Sequence, residues 1–280
     1  MQEVAIVGAG ELGGALAHVL ARRDAARTIR LIDDTGRVAE GKALDIAQAA
    51  PVEGFATALS GSTDWAAGAG ARVIILADRF GAGEWSGDAG LQLVAQLARS
   101  APAAVILCAG ASQREVIDRG VRERRIARTR IFGSAPEALA GGARALVALA
   151  ANGSPRDVSL SVLGIPPSHT VIPWEEATLG GFALTRLVDE PSRRQVAARI
   201  AALWPPGPYA LATAAALVVE AIGGRSRRLA SCFVAPDTAA GVKSRTAAMP
   251  VRLGPAGIVE VVVPSLSVVD RVALENAVQI

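Results

Sequence analysis

The sequence predicts an α/β fold, with a doubly wound parallel sheet in the first half and an α+β unit with antiparallel strands in the second. An apolar, β-prone run from Val4 to Val7 enters a glycine-rich turn and then a helix. Further apolar runs alternate with helical segments over short connections, a pattern typical of parallel sheets. β-prone segments without intervening helices cluster near the end of the chain, which indicates the antiparallel part.

The turn after the first strand contains glycines in the order G-x-G-x-x-G, at Gly8, Gly10 and Gly13. Gly8 permits a tight turn, Gly10 lets the backbone approach a pyrophosphate, and Gly13 lets the helix pack close to the strand. The helix points its free N–H groups and positive dipole end at the same place. The pattern therefore predicts a Rossmann dinucleotide site. Its predicted cofactor-binding residues are Gly8, Ala9, Gly10, Glu11, Leu12 and Gly13.

An acid follows the second predicted strand, Thr28 to Ile32. Asp33 lies 20 positions after Gly13, about the distance expected for the acid that hydrogen-bonds a ribose 2′-hydroxyl. The neighbouring Asp34 would repel a 2′-phosphate, so the two acids favour NAD over NADP. The alternative is an ordinary strand, turn and helix with surface acids.

The remaining elements divide the chain into two predicted domains. In the first half the predicted helices and strands are Val38 to Ala47, Phe55 to Leu59, Arg72 to Ala77, Leu91 to Leu97, Ala104 to Cys108 and Ile131 to Gly133. In the second half they are Leu139 to Ala150, Val158 to Gly164, Tyr209 to Ile222, Leu229 to Val234, Ala248 to Leu253, Gly257 to Val263 and Val268 to Val278. We therefore predict a dinucleotide-binding domain at 1–138 and a substrate-type domain at 139–280.

Composition excludes several classes of protein. The chain has 280 residues and is 51% hydrophobic, which is ample for a core and atypical of disorder. Its beginning lacks signal-peptide features, and the apolar stretch from Tyr209 to Val219 is too short to span a bilayer. We therefore expect a cytoplasmic protein with no membrane partner.

Charge and cysteine usage indicate no further chemistry. Lys and Arg total 29 against 26 acids, a net charge of +3 that is spread evenly, so no nucleic acid partner is expected. The basic run from Arg119 to Arg130 is interpreted as a solvated helix face, with a polyanion site as the alternative. Cys108 and Cys232 lack metal-type spacing and are predicted to be buried thiols, and no metal site is predicted.

Other stretches resemble the malate/lactate dehydrogenase superfamily over essentially the whole chain. They are Gly-Lys-Ala-Leu-Asp-Ile at 41–46, the segment 49–54, and Pro-Val-Arg-Leu-Gly at 250–254 before Gly-Ile-Val-Glu at 257–260. The resemblance implies NAD as cofactor and hydride exchange with a small 2-hydroxy acid. It also implies a homodimer or homotetramer that uses the helix around Glu40 to Ala50.

The sequence departs from this family where the resemblance places the catalytic groups. The family has two loop arginines, an asparagine near the nicotinamide, an orienting acid, a carboxylate-binding arginine and a catalytic histidine. The corresponding residues here are Ala82, Gly87, the segment 109–112, Leu139, Gly142 and Pro166. A small gap could bring Arg144 into the arginine position, but no shift supplies the acid.

Two residues are candidate substitutes in catalysis, Arg79 near the loop arginines and His169 three positions after Pro166. The leading interpretation is an NAD(H)-binding protein that has lost the 2-hydroxy-acid dehydrogenase chemistry and acts as a sensor or an interaction subunit. One alternative is an oxidoreductase with another substrate that uses Arg79, His169, Ser168 or Asp78. Another is a structural partner whose glycine turn binds no nucleotide.

Overall fold

The computed structural model describes residues 1–237 and 245–279. Strands β1 to β8 are Glu3–Val7, Thr28–Ile32, Ala58–Ser62, Val73–Leu76, Asp78–Arg79, Gly83–Glu84, Val105–Cys108 and Ile131–Gly133. Strands β9 to β16 are Val158–Ser159, Leu163–Ile165, His169–Val171, Thr178–Leu179, Phe182–Ala183, Ala230–Val234, Ala247–Gly254 and Gly257–Val261. Helices α1 to α9 are Glu11–Arg22, Val38–Glu53, Gly87–Ser100, Arg114–Arg124, Ala135–Ala150, Leu184–Leu187, Glu190–Ala201, Pro208–Ile222 and Val268–Gln279.

One large mixed sheet organises the described residues. Its parallel part has the order β3-β2-β1-β4-β7-β8, and β14, β15, β10 and β11 continue it in antiparallel fashion, with β16 beside β15. All residues of β4 and β7 are buried, as expected for strands covered by helices on both faces. This architecture confirms the predicted fold class.

The strand order reverses between β1 and β4. β1 continues into the glycine turn and α1, whereas β4 continues into the two-stranded hairpin β5–β6. Ligands of open α/β sheets bind at such a reversal, outside the carboxyl ends of the strands. The topology thus brings the glycine turn and the hairpin to the same crevice.

The two predicted domains share this sheet. Gly133 of β8 pairs with Phe233 of β14, and Arg23 at the end of α1 forms an ion pair of 3.2 Å with Glu220 of α8. Residue 138 lies inside α5, so the boundary between 1–138 and 139–280 crosses a continuous helix. The division stays a prediction. No helix among the described residues has the length and apolar content needed to cross a membrane.

The third strand lies three residues later than predicted, at Ala58–Ser62 rather than Phe55 to Leu59. Phe55 is buried but precedes the strand. The strand is instead set by its register with β2, in which Thr28 pairs with Ala58. At Gly61 a Cβ atom would lie closer than 3.0 Å to the backbone of α2. A glycine at this position therefore lets β3 pack closely against α2, and a search for apolar runs does not detect such a strand.

Several other predicted elements had the wrong extent. The predicted strand Val158 to Gly164 is broken into β9, which pairs with β12, and β10, which pairs with β15 and β11. Helix α2 continues through Pro51 to Glu53, α3 covers Gly87–Ser100, and α5 begins at Ala135. Local sequence patterns thus underestimate the lengths of helices that are stabilised by tertiary packing.

We expect Gly13→Ala to destabilise the fold by at least about 2 kcal/mol, because overpacking displaces α1 from β1. A Cβ atom at Gly13 would lie closer than 3.0 Å to the carbonyl oxygen of Gly8. The control is Gly41→Ala in α2, where a Cβ atom meets nothing within 4 Å. It should raise stability by up to about 1 kcal/mol. Urea unfolding measures both, and equal effects would contradict the packing role of Gly13.

Candidate functional site

The glycine turn has the conformation that its sequence predicts. Gly8 has a φ of +113°, a value that favours glycine, and its N–H donates to the Ile32 carbonyl at 2.7 Å. Gly13 permits the close approach of α1 to the carbonyl of Gly8. Strand, turn and helix are therefore arranged as in a dinucleotide-binding unit.

Asp33 lies beside this turn but faces inward. Its carboxylate is fully buried and accepts hydrogen bonds from the N–H groups of Ala9 at 2.7 Å, Thr35 at 2.9 Å and Phe80 at 3.0 Å. Burial raises the pKa of this carboxyl, but these donors outweigh burial and hold the pKa of Asp33 below its ordinary value. Both oxygens are bonded to backbone, so this geometry leaves no exposed oxygen for a ribose.

A second carboxylate occupies the N-terminus of α1. Asp78, the first residue of the hairpin, accepts hydrogen bonds from the N–H groups of Leu12 at 3.2 Å and Gly13 at 2.9 Å. Its carbonyl accepts from the N–H of Gly10 at 2.8 Å. A Cβ atom at Gly10 would lie closer than 3.0 Å to the Asp78 carboxyl group. The space that Gly10 leaves open is therefore filled by this chain's own side chain.

A third carboxylate occupies the loop after β7 in the same way. Glu84, at the other end of the hairpin, accepts from the N–H groups of Ala111 at 2.9 Å and Ser112 at 2.8 Å, and from the Ser112 hydroxyl at 2.5 Å. A Cβ atom at Gly110 would lie closer than 3.0 Å to the Glu84 carboxyl group. Asp78 and Glu84 are paired residues of the hairpin, so the hairpin bridges the two loops.

The side chains between these acids anchor the hairpin to its surroundings. The Arg79 guanidinium lies over the Trp85 ring at 4.5 Å, and Trp85 packs edge-on against Trp65. Lys42 of α2 lies 5.8 Å from the Phe80 ring and donates to the Gly10 carbonyl at 2.6 Å. Arg79 is therefore engaged with an aromatic ring.

The other candidate substitute, His169, has different surroundings. It begins β11, pairs with Ile165 and is partly buried. The depression beside it is lined by Ser168, Thr170, Val171, Ala273, Asn276 and Gln279. This lining includes no residue of the glycine turn or the hairpin, so the structure does not gather His169 and Arg79 around one depression.

Helix α5 carries a buried ion pair that the sequence pattern did not predict. Glu137 is 6% exposed, binds the Arg144 guanidinium at 2.8 Å and accepts from the N–H of Ser231 at 2.8 Å. The signal was the acid in an apolar helix with an arginine seven residues later, which places both on one face. Arg144 thus has a carboxylate partner within the protein.

The two cysteines and His18 lie in surroundings that indicate structural roles. Cys108 and Cys232 are buried free thiols, as predicted, and burial together with the charge of Glu84 raises the pKa of Cys108 to about 12. His18 binds the Glu53 carboxylate on the surface. No group of metal-binding side chains occurs within the described ranges.

Residues 2–99 match the family model described as lactate/malate dehydrogenase, NAD binding domain. The chain is 28% identical to the malate dehydrogenase of Thermomicrobium roseum, over 99% of this chain and 94% of that protein. The family model and this relative support the malate/lactate dehydrogenase superfamily as the family of this chain. NAD is the cofactor that the family model implies for residues 2–99.

Solved structures of this superfamily share the fold. Malate dehydrogenase from Salinibacter ruber matches with a TM-score of 0.84 and 24% identity, over 98% of this chain and 93% of that chain. Lactate dehydrogenase from Cryptosporidium parvum, complexed with lactic acid and NAD, matches with a TM-score of 0.85 and 18% identity, over 99% and 94% of the two chains. The superfamily fold therefore extends over both halves of this chain.

The crevice beside the glycine turn is shaped for a dinucleotide, but its donors do not fit one in this arrangement. A pyrophosphate needs the free N–H groups at the start of α1, and the Asp78 carboxylate holds those of Leu12 and Gly13. A ribose needs an accessible acid, and Asp33 is fully buried. A bound NAD therefore requires a rearrangement of this crevice.

We expect Asp33→Asn to lower the free energy of unfolding by about 1–3 kcal/mol at neutral pH, because an amide has a single acceptor oxygen and cannot accept from all three backbone donors. Asp34→Asn, at an exposed neighbour, should change it by less than about 0.5 kcal/mol. Urea unfolding measures both variants.

The pH dependence tests the same contacts. A carboxyl whose pKa is lowered by folding stabilises the protein fully above its unfolded pKa of about 3.9, and this contribution is lost as the pH falls through the folded pKa. The difference in free energy of unfolding between the native chain and Asp33→Asn should therefore become smaller as the pH falls below about 4. A difference that does not change with pH, or an equal pH dependence for Asp34→Asn, would contradict the stabilising role of the ionised Asp33.

Proposed function

We propose that this chain is an NAD(H)-binding member of its superfamily that lacks the standard 2-hydroxy-acid dehydrogenase chemistry. Oxidation of a 2-hydroxy acid needs a base for the hydroxyl proton, an acid that orients the base, and guanidinium groups for the carboxylate. The observation that carries the proposal is the absence of these side chains at the matching positions. Those positions are occupied by Ala82, Gly87, Leu139, Gly142 and Pro166.

The surroundings of the candidate substitutes support this proposal. The Arg79 guanidinium is stacked on Trp85, and its Nε is buried without a hydrogen-bond partner in the described part of the chain. The charge of Arg144 is already neutralised by the buried Glu137. His169 lies in the depression beside α9, and no carboxylate among the described residues accepts a hydrogen bond from its ring. In a comparable His–Asp arrangement, removing the orienting acid lowers the rate by about 10⁴.

One observation favours retained activity with a different substrate. The chain aligns over nearly its whole length with proteins named malate dehydrogenase and L-lactate dehydrogenase. An altered oxidoreductase that acts on a CH–OH group is therefore the second candidate function. It would need a proton acceptor such as His169.

Turnover assays distinguish the two candidates. We expect no NAD-dependent oxidation of malate or lactate above about 10⁻⁴ of the rate of the Thermomicrobium roseum malate dehydrogenase, assayed as the control. We also expect NADH binding by calorimetry. Turnover of any 2-hydroxy acid, aldehyde or ketone that is lost in His169→Ala or Arg79→Ala would contradict the proposal and support the altered enzyme.

We also propose that the chain forms a homodimer or homotetramer through α2 and α8. Their exposed faces carry Leu44 at 61%, Val52 at 89%, Tyr209 at 79% and Leu217 at 40% exposure. Large exposed apolar side chains in such numbers are typical of protein interfaces. Without a partner subunit, these apolar side chains are exposed to water.

We expect Leu44→Asp to shift the native oligomer towards monomer at micromolar concentration, because a charge at an apolar interface must lose its hydration. Light scattering measures the mass. Val259→Asp, at a valine of β16 that is 72% exposed, is the matched control and should leave the oligomer intact. A monomeric native chain would contradict the interface.

A further inference from the structure

The hairpin β5–β6 carries two carboxylates into two separate sets of backbone donors. Asp78 binds the N–H groups of Leu12 and Gly13, and Glu84 binds those of Ala111 and Ser112. The two sets lie at the carboxyl ends of β1 and β7, the parallel strands on either side of β4, next to the point where the strand order reverses. Backbone N–H groups in such positions bind anions. Here each set already holds an anion, and both anions belong to one hairpin.

We propose that this hairpin is an internal competitor of the dinucleotide, so that NAD(H) binds only when Asp78 and Glu84 withdraw. The proposal rests on the NAD(H) binding described under Proposed function. A pyrophosphate and the Asp78 carboxylate compete for the N–H groups at the start of α1, and both are negatively charged. They therefore exclude one another by volume and by charge.

The fit of the carboxylates is close at both loops. A Cβ atom at Gly10 would overlap the Asp78 carboxyl, and a Cβ atom at Gly110 would overlap that of Glu84. In a dinucleotide site the second glycine of the turn makes room for the pyrophosphate. Here the room beside Gly10 is taken by Asp78, so the competition concerns the same volume.

The hairpin can leave without disturbing the large sheet. β5 and β6 pair only with each other among the described strands. Gly81 in the turn between them and Gly83 at the start of β6 both have positive φ, and Phe80 is 46% exposed. Withdrawal therefore breaks the contacts with the two loops and the contacts of Phe80 with Asp33 and Lys42, but no strand pairing of the core.

The test compares NADH binding by calorimetry in the native chain and in the double variant Asp78→Ala/Glu84→Ala. Removing both carboxylates frees the N–H groups and removes two negative charges, so the dissociation constant should fall at least about tenfold. The matched control is Asp157→Ala/Glu260→Ala, which removes the same residue types from exposed positions away from the crevice. The control should bind NADH as the native chain does.

A second measurement follows the hairpin without any cofactor. The amide hydrogens of Leu12, Gly13, Ala111 and Ser112 should exchange slowly in the native chain and faster in the double variant, because their acceptors are gone. If the double variant unfolds, Asp78→Asn/Glu84→Gln keeps the side-chain size while removing the charges. It should also bind NADH more tightly than the native chain.

The outcomes separate this proposal from the proposed function. Tight NADH binding by the native chain that is unchanged in Asp78→Ala/Glu84→Ala and in Asp78→Asn/Glu84→Gln would overturn the competition alone. Binding by none of the proteins would overturn the competition and the NAD(H) binding together. Tighter binding accompanied by oxidation of malate or lactate in the double variant would support the competition and overturn the loss of chemistry.

Discussion

The carboxyl edge of the parallel sheet depends on carboxylates that satisfy its backbone N–H groups. Turns and helix N-termini leave donors without partners inside their own elements, and a buried donor without an acceptor is costly. Asp33 satisfies the donors of three segments, Asp78 those at the start of α1, and Glu84 those after β7. The glycine turn, the hairpin and the second strand are held in register by these contacts.

This constraint changes the meaning of the glycine motif. The same features that suit a pyrophosphate, namely a glycine without a Cβ and the positive end of a helix dipole, also suit a carboxylate of the chain itself. Asp78 uses both features. An intact motif therefore establishes an anion site, while the identity of the anion depends on which groups the fold brings to it.

The second half shows a related use of charge. Glu137 and Arg144 neutralise one another, and Glu137 also accepts a hydrogen bond from the N–H of Ser231 in β14. A buried pair is strongly destabilised when one partner is removed. These two residues therefore join α5 to β14, and the Arg144 guanidinium has its carboxylate partner within the protein.

The sequence alone determined the fold class, the glycine turn and the burial of both cysteines. Apolar runs, glycine spacing and short connections are local properties, and they are visible one segment at a time. The sequence also placed acids at Asp33 and Asp78, but their partners are 24 and 65 positions away in the bonds to Ala9 and Gly13. Only tertiary structure decides such pairings, because strand order determines which loops meet. For the same reason, the local sequence pattern did not predict the extent of β3, which packs against α2. It also did not predict the inward direction of Asp33, which accepts a hydrogen bond from Phe80 of the hairpin.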